Sequence, residues 1–266
     1  MLQNISELNG YAIAASDGPI GTVSDFLFDD ESWLLRWLVV DTGKWLSGRK
    51  VLLPPSVLGH PDSNRRQFAV RLTTKEVADS PGIGTDRPIS RQMETNLYDY
   101  YGWTPYWGPY MGGYGYYGSL LARSRPTSSR WAERELADAQ RAADDPHLRS
   151  IHEVVGYHIQ AVDGTVGHVE DVIFEDVDWS IHYLVVDTKN WWPGKKVLIS
   201  PWSTEAINWV EKSVRLNVDR QMVKDAPSYD ASKLIDRFYE RSFHGYYGAK
   251  KSDRSSPSGT DHHDHK

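Results

Sequence analysis

The feature that most constrains this chain is a stretch it carries twice. Leu38-Val39-Val40-Asp41-Thr42 leads through Trp45 and Gly48 to Lys50-Val51-Leu52 and Pro55. Leu184-Val185-Val186-Asp187-Thr188 leads through Trp191 and Gly194 to Lys196-Val197-Leu198 and Pro201. From Gly10 to Pro55, the copy beginning at Gly156 follows without a gap and is identical at about half of its positions. A spacing of 146 residues is far longer than a solenoid unit, so a whole domain is duplicated. The 266-residue length agrees with two domains of ordinary size.

Each copy reads as short strands joined by tight turns. Tyr11 to Ala15 alternates into a first strand, and Asp17-Gly18 (Asp163-Gly164 in the second copy) marks a hairpin, because Gly accepts the positive φ such turns require. The next strand runs from about Ile20 to Phe28, where Gly21 and its counterpart Gly167 read as a bulge or a close backbone approach. Trp33 to Val40, Arg49 to Leu53 and Phe68 to Leu72 follow as strands, the last with the polar–apolar alternation of a half-buried edge. Thr74-Lys75-Glu76-Val77 and Asp219-Arg220-Gln221-Met222 suggest a helical turn closing each copy. Five or six short strands with little helix predict a small, closed antiparallel barrel. At Asp41-Thr42 and Asp187-Thr188, the side chains are expected to accept loop amide hydrogens and so fix the hairpin.

The expected organisation is a first barrel over residues 1–80 and a Tyr/Trp/Gly/Pro-rich linker over 81–130. A linker helix over 131–145, a second barrel over 146–228 and a C-terminal extension over 229–266 follow, the extension disordered after about residue 249. From Tyr98 to Tyr117 the linker holds eight Tyr and two Trp among Gly and Pro, a composition that argues against regular structure there. Eleven Trp and fifteen Tyr offset a hydrophobic content of only 39% and a mean hydropathy of −0.56, since each aromatic buries a large area in a small core.

The chain has no Cys, which excludes disulfides, thiolate metal sites and cysteine catalysis. A net charge of −6 disfavours coating nucleic acid or an anionic membrane. No run approaches the eighteen or so apolar residues of a membrane helix, and the opening Met1-Leu2-Gln3-Asn4-Ile5 shows no secretory pattern. A cytoplasmic protein without membrane insertion is expected.

Taken together, the Asp-Gly turn, Gly21-Thr22-Val23-Ser24-Asp25, Leu-Val-Val-Asp-Thr and the Lys-Val-Leu strand with its following Pro resemble the PRC-barrel family. That barrel is shared by the cytoplasmic domain of the photosynthetic reaction-centre H subunit and the C-terminal domain of a ribosome-maturation factor. Asp145-Pro146-His147-Leu148-Arg149-Ser150 and Trp191-Trp192-Pro193-Gly194-Lys195-Lys196 resemble tandem stand-alone members in particular. The resemblance implies two barrels in pseudo-twofold tandem. The roles it implies are binding and assembly rather than catalysis.

Several side chains invite a chemical reading. The acidic residues Asp25, Asp29, Asp30 and Glu31, with Glu170, Asp171, Glu175, Asp176 and Asp178, could hold a divalent cation, but turn geometry explains them better because no calcium-loop spacing is present. His158, His168 and His182 occur only in the second copy, opposite Ala12, Thr22 and Arg36, and are candidates for a metal or small-ligand site; scattered surface histidines are the favoured reading. Neither a catalytic residue nor a cofactor is assigned. Protein contact is expected instead through the aromatics Tyr100, Tyr101, Trp103, Tyr106, Trp107 and Tyr110 of the linker and through Trp45, Trp191 and Trp192 beside the glycines of the repeated loop. The partner is another protein or a second copy of the chain. Asp99 is the one charge between Tyr98 and Tyr117, so nucleic acid is a poor fit, and RNA or reaction-centre association remains an implication of the resemblance alone.

Overall fold

A computed structural model describes residues 1–81, 91–103, 148–188 and 195–230. Tyr106, Trp107, Tyr110, Trp191, Trp192, Gly194, the linker helix expected at 131–145 and the extension beyond 230 lie outside the described residues. The chain forms two units, Glu7–His152 and Met1–Ser6 with Glu153–Lys266.

The first unit is built on β2 (Ala12–Ala14), β3 (Pro19–Asp29), β4 (Leu34–Asp41), β5 (Lys50–Leu53) and β6 (Gln67–Ala69), ordered β5-β4-β3-β2-β6 in the sheet. The second repeats it with β8 (His158–Ala161), β9 (Gly164–Glu175), β10 (Ile181–Asp187), β11 (Lys196–Ile199), β12 (Thr204–Asn208) and β13 (Ser213–Leu216). Most ladders are antiparallel as expected, but β2 with β6 and β8 with β13 run parallel, so one ladder in each unit departs from an all-antiparallel plan. Inward side chains on the strands, among them Phe26, Phe28, Val40, Phe68, Val172, Phe174 and Val186, are fully buried and make the barrel cores. Deep burial of such apolar surface is the main stabilising term.

The shared sequence motifs do shared structural work. Asp17 accepts from Thr74 N at 2.7 Å, and Asp163 accepts from Arg220 N at 2.8 Å, tying each Asp-Gly turn to the start of a short helix, α2 (Thr74–Asp79) or α5 (Arg220–Asp225). Gly164 has φ +141, a conformation that needs Gly, whereas Gly18 has room for a side chain. Gly21 and Gly167 face the carbonyls of Asp41 and Asp187 at a distance no Cβ would tolerate, so they are close-approach glycines. Gly48 takes φ +75 in the loop between β4 and β5. Asp41 accepts from Gly43 N at 2.8 Å as expected, but the threonines behave otherwise. Thr42 and Thr188 donate to the carbonyls of Arg49 and Lys195 at 2.5 and 2.6 Å, because a hydroxyl beside a loop carbonyl is satisfied by giving its proton. At the other end of the same loop, Arg49 donates to Ala78 O at 3.0 Å and Lys195 to Ala226 O at 2.7 Å, so a cation closes the C-terminus of each short helix.

Two findings depart from the sequence-based boundaries. Arg91–Tyr101 forms a helix, α3, whose last turn from Tyr98 enters the stretch where composition argued against regular structure. Its Glu94, 2% exposed, accepts from Trp37 Nε1 at 2.8 Å, while Leu97 and Tyr98 pack on Leu27, Trp37, Val39 and Leu52. Tertiary burial of one apolar face thus overrides weak local propensity. Second, β1 (Leu2–Asn4) pairs with β9 of the second copy, and β7 (Leu148–Ser150) pairs with β3 of the first. Each copy's opening strand completes the other copy's sheet. The chain crosses between units within α1 (Ile5–Leu8) and α4 (Ile151–Val154).

Candidate functional site

After β11 the chain enters a 3-10 turn, Pro201–Ser203, in which Pro201 and Ser203 are buried and the residue between them is not. Trp202 is 83% exposed. Its backbone is held on both sides: its N–H donates to Ser200 Oγ at 3.4 Å and its carbonyl accepts from Asn217 Nδ2 at 3.3 Å. Asn217 N also donates to Ser203 O at 2.9 Å. A large indole therefore stands in solvent on a fixed pedestal. The first copy builds the same pedestal from Pro55, Ser56 and Val57, with the Arg71 guanidinium donating to Ser56 O and Arg71 N donating to Val57 O at 3.0 Å. It presents a serine there. In the β12–β13 hairpin that follows, Val210 at the turn is 93% exposed, and Asn64 is its first-copy counterpart. Exposed tryptophan on rigid backbone is the residue type that anchors protein interfaces, because its large apolar area is desolvated at little entropic cost. The expected contact residues did not include Trp202. The signal was an aromatic in one copy opposite Ser in the other, directly after the Pro that ends the shared motif.

The expected linker aromatics divide. Trp103 and Tyr101 stack at 4.0 Å and 11°, and both pack on the outer cluster of the first unit with Tyr98. Burial pushes the Tyr101 phenol above its ordinary range. These two are packing residues. Tyr100 is 42% exposed and donates to Glu76 O at 3.1 Å, and Trp45 is likewise 42% exposed in the β4–β5 loop. The equivalent outer face of the second unit is covered differently, by Tyr229 and Leu2 on Ile173, Tyr183, Val185 and Leu198, with Tyr229 Oη donating to Asn4 Oδ1 at 3.1 Å.

The acidic side chains are chiefly structural. Asp29, 7% exposed, accepts from Glu31 N, Ser32 N and Ser32 Oγ at 3.2, 2.7 and 2.8 Å. Asp25 accepts from Phe26 N, His152 N and Ser150 Oγ at 2.7, 3.1 and 2.5 Å. Asp171 accepts from Val172 N, Ser6 N and Ser6 Oγ at 2.8, 3.1 and 2.5 Å. Burial raises the Asp171 carboxyl above its ordinary range against the pull of these donors.

His158 and His168 face each other across β8 and β9, while His182 lies on β10 opposite the far end of β9, so the three candidates do not converge. His182 instead sits with Glu175 and Asp178, their ligand atoms all within 4.8 Å, a set able to offer a cation one nitrogen and two oxygens. Ser180 Oγ bridges it, donating to Asp178 at 2.5 Å and meeting His182 Nε2 at 3.0 Å. Burial opposes ionisation of Asp178, but the Ser180 hydroxyl and amide and the nearby His182 hold its carboxyl below the ordinary range. The first copy has Asp29, Ser32 and Arg36 at these places, with Arg36 donating to Ser32 Oγ at 3.2 Å.

Among the described residues no helix is long and apolar enough to cross a membrane. Comparison with known families matches the PRC-barrel domain at residues 3–76 and again at 146–223. No curated protein matches the chain.

Proposed function

The chain belongs to the PRC-barrel family, and from that premise we propose that it is a non-enzymatic assembly module of the cytoplasm that binds a protein partner through its second barrel. The observation that carries this reading is Trp202, 83% exposed between two buried residues on a pedestal whose first-copy counterpart presents Ser56. Duplication gave two equivalent turns, and one of them carries a side chain that hydration disfavours and an apolar partner would cover. The buried polar groups Asp29, Thr42, Asp171 and Thr188 support the same reading, since each is engaged in holding a turn or a strand. The test is a quantitative pull-down from native cytoplasm with wild type and Trp202→Ser, which installs the first copy's own residue. Proteins retained by wild type should be lost from the variant while its melting temperature stays within about 2 °C, as expected for an exposed side chain. An unchanged set of retained proteins would overturn the reading.

A further inference from the structure

Two segments of this chain have the same design and occupy equivalent places. Leu2-Gln3-Asn4-Ile5-Ser6-Glu7-Leu8 and Leu148-Arg149-Ser150-Ile151-His152-Glu153-Val154 share Leu, Ile and Glu at matching positions. Leu2, Gln3 and Asn4 pair with Glu175, Phe174 and Ile173, and Leu148, Arg149 and Ser150 pair with the corresponding Asp29, Phe28 and Leu27. Leu2 packs against the outer cluster of one unit and Leu148 belongs to the outer cluster of the other. Gln3 donates to Asp176 at 3.2 Å, and Arg149 to Asp30 at 3.4 Å. In each case a carboxylate at the strand's bulge, Asp171 or Asp25, takes one backbone N–H and one Ser hydroxyl from the incoming segment.

We infer that this slot is a strand-addition site that recognises an incoming segment by sequence rather than by its place in the chain, and that a second copy of this chain can supply it, giving a strand-exchanged dimer. The mode is β-augmentation: backbone ladder bonds hold the strand, while a leucine pocket and a carboxylate set its register. Recognition across copies is already built in, because each slot is filled by the segment of the other copy. A chain whose Leu2–Ser6 segment leaves its slot therefore finds the same contacts on a second chain, and the closed and exchanged forms differ chiefly in entropy. A tethered segment competes at an effective concentration on the order of millimolar, so the exchanged dimer belongs to high protein concentration or to refolding under crowded conditions. The inference does not rest on Trp202, and loss of partner binding in that variant leaves it standing.

The absence of Cys in the chain permits a direct test. Leu2 and Glu175 are directly opposed across the β1–β9 ladder. Full-length Leu2→Cys and full-length Glu175→Cys chains are mixed, refolded together at a high concentration and, in parallel, at a low one, and oxidised. The expected product is a mixed disulfide between residue 2 of one chain and residue 175 of the other, abundant only in the concentrated sample and accompanied by a dimer in light scattering. Adding Ser6→Ala to the Leu2→Cys chain removes one donor to Asp171 from the closed and the exchanged form alike, so its melting temperature should fall while the share of mixed disulfide stays within about twofold. Each single-cysteine chain, checked alone by circular dichroism and melting, must fold like wild type. Mixed disulfides no more frequent than Leu2→Cys homodimers, or equally frequent at the low and the high concentration, would overturn the inference.

Discussion

Replacing Gly21 by Ala should cost the first unit a large part of its stability, whereas the same change at Gly18, three residues away in the same hairpin, should cost almost nothing. A Cβ at Gly21 would stand 2.1 Å from Asp41 O and 2.9 Å from Thr42 Cα, and one at Gly167 would stand 2.0 Å from Asp187 O. Carbon and oxygen need roughly 3.3 Å, so β3 and β4 would have to part by roughly 1 Å. That separation falls on the pairs Thr22 with Asp41 and Val23 with Val40. Losing two ladder bonds costs about 1 kcal/mol each. Forced overpacking adds about 1–3 kcal/mol. The sum is about 3–5 kcal/mol, and at roughly 4–8 °C per kcal/mol for a unit of this size the first unit's Tm should fall by roughly 12 °C or more. At Gly18 the added methyl meets only Thr74 Cγ2 at 3.5 Å, an ordinary contact. Thermal unfolding of Gly21→Ala, Gly167→Ala and Gly18→Ala by circular dichroism and calorimetry decides the matter. A Gly21→Ala protein melting within 2–3 °C (roughly 0.5 kcal/mol) of wild type would refute the close-approach argument.

Further outcomes follow from the shared motifs. Asp17→Asn with Asp163→Asn should melt below wild type at neutral pH, because donation from Thr74 N and Arg220 N depresses both carboxyls below their ordinary value of 3.8. Their contribution is present above that value and lost as pH falls through the depressed ones, so the gap in melting temperature should narrow as the pH is taken below 3.8. Arg49→Met removes the cation from the Ala78 carbonyl and should lower stability by about 2 kcal/mol in urea titration. Trp37→Phe both leaves a gap and deprives buried Glu94 of an indole donor, and should cost about 3 kcal/mol by the same titration.

The barrel strands were legible because burial on one or both faces writes itself into the sequence as apolar alternation and β-branched runs; of the Asp-Gly turns, Gly164 takes the expected positive φ, whereas Gly18 does not. Gly21 and Gly167 could be read as close-approach points. The helix Arg91–Tyr101 was not legible, since what forms it is the outer face of Trp37, Val39 and Leu52, which lies far away in sequence. The linker aromatics split for that reason too: nothing local distinguishes Tyr101 and Trp103, which are packed, from Tyr100, which is not. Convergence of the histidines was also beyond sequence, because strand register decides that His158 meets His168 while His182 meets Glu175 and Asp178. The exchange of opening strands is the deepest case. The Leu-x-x-Ile-x-Glu pattern extends the duplication upstream of Gly10, but either copy's slot satisfies it equally, so pattern alone does not choose.

One measurement decides which slot the opening strand fills. Two double variants, Leu2→Cys with Glu175→Cys and Leu2→Cys with Asp29→Cys, are oxidised at low micromolar concentration, and the intrachain disulfide is scored by mass spectrometry. Glu175 faces Leu2 across the ladder, whereas Asp29 is its equivalent in the first copy and faces Leu148. Rapid closure of the 2–175 pair and little of the 2–29 pair are expected. Preferential closure of 2–29 would mean that each barrel keeps its own opening strand, and the exchange would be wrong.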